Sequence, residues 1–172
     1  VKERGAHVPM AYILGRREFM GLSFRVTRDT LIPRPDTEIL TQFAVDTLRA
    51  RAEAGAGELR FADIGTGTGA IVLSVLPHTE GTRADAVAIS PAAAAVAAEN
   101  AAELGLTERI EVLTGDLTAP LLGRSYAMIL SNPPYIPSAD VKTLMEDVKA
   151  YEPHLALDGG ADGLAVYRRL LR

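Results

Sequence analysis

Phe61-Ala62-Asp63-Ile64-Gly65-Thr66-Gly67-Thr68-Gly69 decides how this chain is built. Leu59 to Ile64 reads as a short strand. A helix begins at Gly69 and runs to Leu76, so the three glycines fall on a strand-to-helix junction. There they permit a tight turn and close approach of backbone to a ligand, beside the positive end of the helix. An ordinary turn would use glycines in the same way. The spacing is Gly-x-Gly-x-Gly, not the Gly-x-Gly-x-x-Gly of dinucleotide folds, and an acid, Asp63, leads into it.

Outward from this loop, strands and helices alternate. Ala84 to Ile89 reads as a second strand. Pro91 to Leu104 is a helix with proline suited to its first turn and Gly105 to its end. Ile110 to Leu113 and Tyr126 to Leu130 are further strands. Such alternation implies right-handed crossovers and a parallel sheet with helices on both faces, an α/β fold. Upstream, Arg17 to Val26 reads as two short strands around a Gly21 turn. Ile32-Pro33-Arg34-Pro35 cannot be helical, because each proline pushes its predecessor to extended geometry. Asp36 or Thr37 is then expected to cap a helix to about Ala54, its apolar positions being Ile39, Leu40, Phe43, Ala44 and Leu48. Past Pro137 two helices are expected, Ala139 to Val148 and Gly163 to Arg172. This divides the chain into a hairpin and linker over 1–30 and one domain over 31–172. Four parallel strands are few for the layout, so further C-terminal strands are expected beyond it.

The composition sets bounds. The 172 residues suffice for one domain with a real core. No apolar run approaches the ~20 residues of a membrane span, and Val1-Lys2-Glu3-Arg4-Gly5 has no apolar signal-peptide region. Cysteine is absent, which fits a cytoplasmic enzyme and excludes thiolate metal sites. His7, His78 and His154 lack ligand spacing, so no metal is expected. A net charge of -4, no tryptophan and 5% aromatics argue against a nucleic-acid partner. A monomer is expected.

Ser131-Asn132-Pro133-Pro134-Tyr135 follows the fourth strand. Ligands of open parallel sheets bind outside the carboxyl ends of the strands, so this segment and the glycine loop would share one crevice. The prolines stiffen the chain and lack N–H donors. Asn132 offers an amide oxygen and Pro133 a carbonyl, two fixed acceptors for the two hydrogens of an –NH2 group. Tyr135 can pack on a planar group. The plain alternative is a rigid loop with a buried tyrosine.

These residues carry a family resemblance. The glycine loop with its leading acid resembles motif I of Rossmann-like class I methyltransferases, and Asn-Pro-Pro-Tyr is shared by methyltransferases of glutamine amides and of adenine. Ala11-Tyr12-Ile13-Leu14-Gly15, Glu18-Phe19 with Gly21-Leu22, Leu31 to Glu38 and Tyr151 to Leu164 resemble HemK/PrmC-type release-factor glutamine-N5 methyltransferases. The resemblance runs from about Pro9 to Leu171. It implies S-adenosylmethionine as cofactor, with Asp63, Gly65, Thr66, Gly67, Thr68, Gly69, position 88, Asp116, Leu117 and Asn132 around it. It implies Asn132, Pro133, Pro134 and Tyr135 as catalytic residues, and the glutamine of a Gly-Gly-Gln motif in a peptide-chain release factor as acceptor. That family adds a helical domain before the hairpin and strands after the last helix.

The chain departs from the family in places. An acid that bonds the cofactor ribose usually stands in Asp-Ile-Ser-Pro; here the run is Ala88-Ile89-Ser90-Pro91. Losing such charge-assisted bonds costs roughly 1.5–3 kcal/mol. Asp85, three residues earlier on a strand, faces the other side. Ala127 stands where the family often has Asp, and Ala92 to Ala95 where larger residues are common. Rival readings are an adenine-N6 nucleic-acid methyltransferase, a ribosomal-protein glutamine methyltransferase, and a binding remnant weakened by Ala88.

Overall fold

Successive residues of a strand point to opposite faces, and in this chain the two faces of the sheet have different chemistry. The structure is a computed structural model and describes residues 2–172, with side chains from Arg4 onward. It opens with α1 (Lys2–Gly5) and α2 (Met10–Leu14), followed by a hairpin of β1 (Arg16–Phe19) and β2 (Leu22–Arg25). Then come α3 (Glu38–Glu53), β3 (Leu59–Ile64), α4 (Ala70–Val75), β4 (Thr82–Ala88) and α5 (Pro91–Glu103). β5 (Ile110–Thr114), β6 (Met128–Ser131), α6 (Ser138–Val141), α7 (Glu146–Lys149) and α8 (Ala165–Leu170) follow. Strands β3 to β6 form a parallel sheet in the order β5-β4-β3-β6. The winding runs from β3 outward to β5, then returns to the other side of β3. The switch point therefore lies between the carboxyl ends of β3 and β6, where open α/β sheets bind ligands.

One face carries Phe61, Ala84, Ala86 and Leu130, packed under Ala44, Val45 and Leu48 of α3, under α4, and under Ala101 of α5. Phe19 and Phe24 of the hairpin enter the same cluster edge to face, their ring centres 6.3 Å apart. Full burial of each such ring is worth about 1.5–3 kcal/mol, so the hairpin is packed as part of the core. The opposite face carries Ala62, Ile64 and Val87 beneath Leu121, with Leu113, Leu117, Tyr126 and Leu170 around them. Here the cover is thinner than a full helix layer: the connection from β5 to β6, and α8.

Asp85 lies on this second face, as its phase on the strand requires. It is fully buried and accepts hydrogen bonds from Arg60, Arg124 and Tyr126. Burial pushes its carboxyl up, but the bonds from Arg60, Tyr126 and Arg124 outweigh that and hold it below the ordinary carboxylate range.

Several local expectations differ from the structure. Thr37 makes no side-chain cap; a 3-10 turn over Pro35–Thr37 leads into α3 instead. The buried stripe of α3 is Thr41, Ala44, Val45 and Leu48, whereas Ile39 and Phe43 are 76% and 63% exposed. The helix is rotated about its axis relative to the apolar reading, because the sheet meets its small residues. The segment beginning at Ala11 belongs to a one-turn helix ended by Gly15 at φ 70°. The helix expected over 139–148 is broken into α6 and α7 by an extended Met145 (ψ 147°). Gly163 at φ 77° cannot start a right-handed helix, so α8 begins after it, with Asp162 accepting from the Leu164 N–H. Among the described residues the parallel sheet has four strands, with β6 at its edge and Ile129 54% exposed. No helix among the described residues is long and apolar enough to cross a membrane.

Candidate active site

The glycine loop leaves β3 with φ of 78°, 56° and 79° at Gly65, Gly67 and Gly69, a conformation that side chains disfavour. A Cβ at Gly65 or Gly67 would meet nothing within 4 Å, so the loop surface is open there. At Gly69 it would lie 2.9 Å from Cδ1 of Leu73, one turn along the helix that Gly69 begins, and 3.5 Å from Ala97 Cβ of α5, so that glycine leaves room for both side chains. The loop is held from below and from the side. Gly65 and Thr66 N–H both donate to the Val87 carbonyl at 2.9 Å. Asn100, 1% exposed on α5, donates to the Thr68 carbonyl at 2.9 Å while its amide oxygen accepts from Arg25 N–H at 2.7 Å. One buried amide thus ties the hairpin to the loop. Nothing in the sequence signalled it.

Asp63 is fully buried beneath this loop. The Thr66 hydroxyl donates to Oδ2 at 2.7 Å, and Oδ1 is buried with no partner. Burial pushes the carboxyl up to about 6, against the lowering effect of the Thr66 hydroxyl. A buried acceptor without a donor is costly to leave unpaired. Together with the open surface over Gly65 and Gly67, it fits a ligand that carries an ammonium group.

The remaining residues expected around a cofactor sit at the same strand ends. Ala88 is 3% exposed and packs against Ala93 and Ala94 of α5, offering only a methyl group. Its carbonyl accepts from Gly115 N–H at 3.0 Å, which holds the turn carrying Asp116 beside β4. The Asp116 carboxylate is paired with Arg169 of α8 through Oδ2. Leu117 takes φ 49°, a conformation rare for leucine, while its side chain packs on the second-face cluster. Arg168 pairs with Asp162 at 2.6 Å, so both arginines of this helix lie in half-exposed ion pairs.

The Asn-Pro-Pro-Tyr segment continues β6, which runs beside β3 with Ser131 opposite Ile64. The Ser131 hydroxyl donates to the Ile64 carbonyl at 2.8 Å, joining this segment to the start of the glycine loop. The asparagine Nδ2 donates to Thr37 Oγ1 at 3.2 Å. No hydrogen bond among the described residues reaches Asn132 Oδ1 or the Pro133 carbonyl. Pro133 is buried, and Tyr135 is 59% exposed, not the buried tyrosine of a merely structural loop. Behind them, Ile136 N–H donates to Leu157 O and Gly159 N–H to Ile136 O at 3.1 and 2.8 Å. A Cβ at Gly159 would lie 2.7 Å from Tyr135 Cα, so that glycine lets the 158–164 turn brace the segment.

A groove of about 750 Å3 opens in front of Asn132, Pro133 and Tyr135, and Arg34, Thr37 and Leu144 form facing parts of its wall. Glu152, 6% exposed, accepts from the Ile32 N–H at 3.2 Å and pairs with Arg34. Two segments 118 residues apart, Ile32 to Asp36 and Tyr151 to Pro153, are thereby locked into one wall. Thr37, Asn100, Glu152 and Gly159 were not singled out as site residues by sequence. Thr37, Glu152 and Gly159 lie in segments that carry the family resemblance, but their partners are distant in the chain and no local pattern names them.

A family model described as methyltransferase small domain matches residues 37–160. The chain is 46% identical over 171 residues to the release factor glutamine methyltransferase of Moorella thermoacetica, covering 99% of this chain and 58% of that protein. It is 46% identical over 169 residues to the protein of the same name from Cereibacter sphaeroides, covering 98% and 57%. The chain therefore spans little more than half the length of these relatives. Among solved structures, the human hMettl16 catalytic domain in complex with a MAT2A 3'UTR hairpin superposes with a TM-score of 0.67 at 20% identity, covering 90% of this chain and 57% of that one. The N-terminal domain of human METTL16 in complex with SAH gives 0.56 at 24% identity, covering 69% and 49%. These two likenesses are of fold.

Proposed function

Because this chain belongs to the methyltransferase small domain family, we propose that it carries the catalytic core of an S-adenosylmethionine-dependent enzyme methylating the side-chain amide of a glutamine. The acceptor is the glutamine of the Gly-Gly-Gln motif of a peptide-chain release factor. The observation that carries this reading is Asn132. Asn132 lines the groove and follows β6, the strand paired with β3 that leads into the glycine loop; its amide nitrogen is tied to Thr37, and no hydrogen bond among the described residues reaches its oxygen or the Pro133 carbonyl. The names and identities of the relatives support the choice of glutamine over adenine.

Gly65 to Gly69, with Asp63 beneath them, would hold the amino-acid end of the cofactor, and Ala88, Asp116 and Leu117 would flank its nucleoside. When bound, S-adenosylmethionine would supply an electrophilic methyl group and depart as the neutral thioether, and the methylated nitrogen returns to a neutral amide by losing one of its two protons to solvent. An amide nitrogen is a poor nucleophile because its lone pair is delocalised into the carbonyl. Asn132 Oδ1 and the Pro133 carbonyl accept its two hydrogens and fix its plane and direction, so acceleration comes mainly from positioning. Charge that develops on the nitrogen strengthens both bonds, which stabilises the transition state more than the ground state. Pro134 keeps the segment rigid, and Tyr135 offers a flat surface beside the acceptor amide.

The test is methyl transfer by the whole protein to a Gly-Gly-Gln release factor, to its Gly-Gly-Glu variant, and to adenine-containing oligonucleotides. Labelling of the first alone is expected. Labelling of oligonucleotides alone would overturn the acceptor while leaving the amide-clamp chemistry standing.

A further inference from the structure

We propose that Thr37 is a positioning residue that fixes which end of the Asn132 amide faces the acceptor. An asparagine side chain presents an acceptor or two donors depending on a half-turn about its last torsion. Only with oxygen toward the groove can it accept from an incoming –NH2; the reverse orientation sets donors against donors. Thr37 Oγ1 accepts from Asn132 Nδ2 at 3.2 Å, which turns Oδ1 away from Thr37. The threonine is free for this role because it makes no cap to its own helix.

Its backbone is also held. Thr37 N–H donates to the Arg34 carbonyl at 3.0 Å, and the Thr37 carbonyl accepts from the Thr41 hydroxyl at 3.2 Å. Arg34 is anchored on buried Glu152. A chain of contacts thus runs from Glu152 through the Pro33-Arg34-Pro35 turn to the hydroxyl, and from there across 95 residues of sequence to Asn132. The inference rests on the reading of Asn132 as the amide clamp.

The experiment is Thr37→Val in the whole protein with a Gly-Gly-Gln release factor as acceptor. Valine keeps the shape and removes the hydroxyl. The expected result is a fall in kcat of about three- to tenfold, the usual worth of one oriented hydrogen bond, with cofactor KM and Tm unchanged. Thr37→Ser should retain turnover within about twofold of wild type, as the hydroxyl remains. In an Asn132→Ala background Thr37→Val should cost nothing more, because a residue acting only through its partner loses its effect with it. Without substrate or cofactor, one Asn132 side-chain NH2 proton should shift upfield in the Thr37→Val spectrum. Equal losses in both backgrounds, or a rise in cofactor KM, would overturn the proposal. A wild type that leaves the glutamine unmethylated would end the amide reading and this proposal together, before any Thr37 variant is compared.

Discussion

Asp63→Asn separates what the buried acid costs the fold from what it does for a ligand. The carboxyl is fully buried, accepts from the Thr66 hydroxyl at 2.7 Å, and is pushed by burial from an ordinary 3.8 up to about 6 against the lowering effect of Thr66 and of the Val72 N–H. Just over two powers of ten in acidity, at 1.36 kcal/mol each, amount to about 3 kcal/mol. The sign follows from proton binding. Below pH 4 folded and unfolded chains both carry the proton and the cost is absent. Between about 4 and 6 the unfolded chain loses its proton first, so stability declines as pH rises. Above 6 the full cost is present. Asparagine is neutral throughout, so the variant should be more stable than wild type at pH 7 by about 1–3 kcal/mol, less the cost of its own unpaired N–H, and should lack the decline between pH 4 and 6. Urea unfolding at a series of pH values reads this difference. The same carboxylate should favour a cationic ligand, so S-adenosylhomocysteine affinity by calorimetry should weaken below pH 6 in wild type and be low and flat in the variant. An asparagine variant with wild-type pH dependence of stability and of affinity would refute the reasoning.

Asn132→Ala in the whole protein should lower kcat by about a hundred- to a thousandfold and leave cofactor affinity within a few fold, since its bond strengthens only as charge develops; near-normal turnover would sink the clamp. Ala88→Asp should tighten cofactor binding by about tenfold in a titration, by restoring charge-assisted bonds to the ribose, and an unchanged constant would mean that another group serves it. Asp85→Ala should destabilise the fold by about 1.5–3 kcal/mol by removing the buried acceptor shared by Arg60, Arg124 and Tyr126, the two arginines keeping Glu111, as measured by chemical denaturation. Because the Asp85 carboxyl is held below its ordinary range, its contribution should be present above about pH 4 and disappear as pH falls through the lower folded value.

Much of this protein was written in local pattern. Strand-to-helix alternation, the loop of Gly65 to Gly69, Ser90 and Pro91 at the start of α5, and Gly105 at its end each act within a few residues of themselves, so the sequence alone determined the parallel α/β layout. The Asn-Pro-Pro-Tyr segment was legible for the same reason. Period-two alternation also told that Asp85 faces away from Ala88, and it does. Helix phase was another matter. Ile39 and Phe43 match an amphipathic pattern yet point outward, because the face of α3 that meets the sheet is chosen by the fit of Ala44, Val45 and Leu48 against β-strand side chains. The supports of the site were likewise hidden. Asp36 or Thr37 read as a helix cap, but the Thr37 hydroxyl meets Asn132; Asn100 carries no signal in the sequence, yet it binds the glycine loop and the hairpin together. A hydroxyl or an amide bonds whichever partner lies nearest in space. Sequence specifies the group, and only the closing of the sheet between β3 and β6 decides the partner.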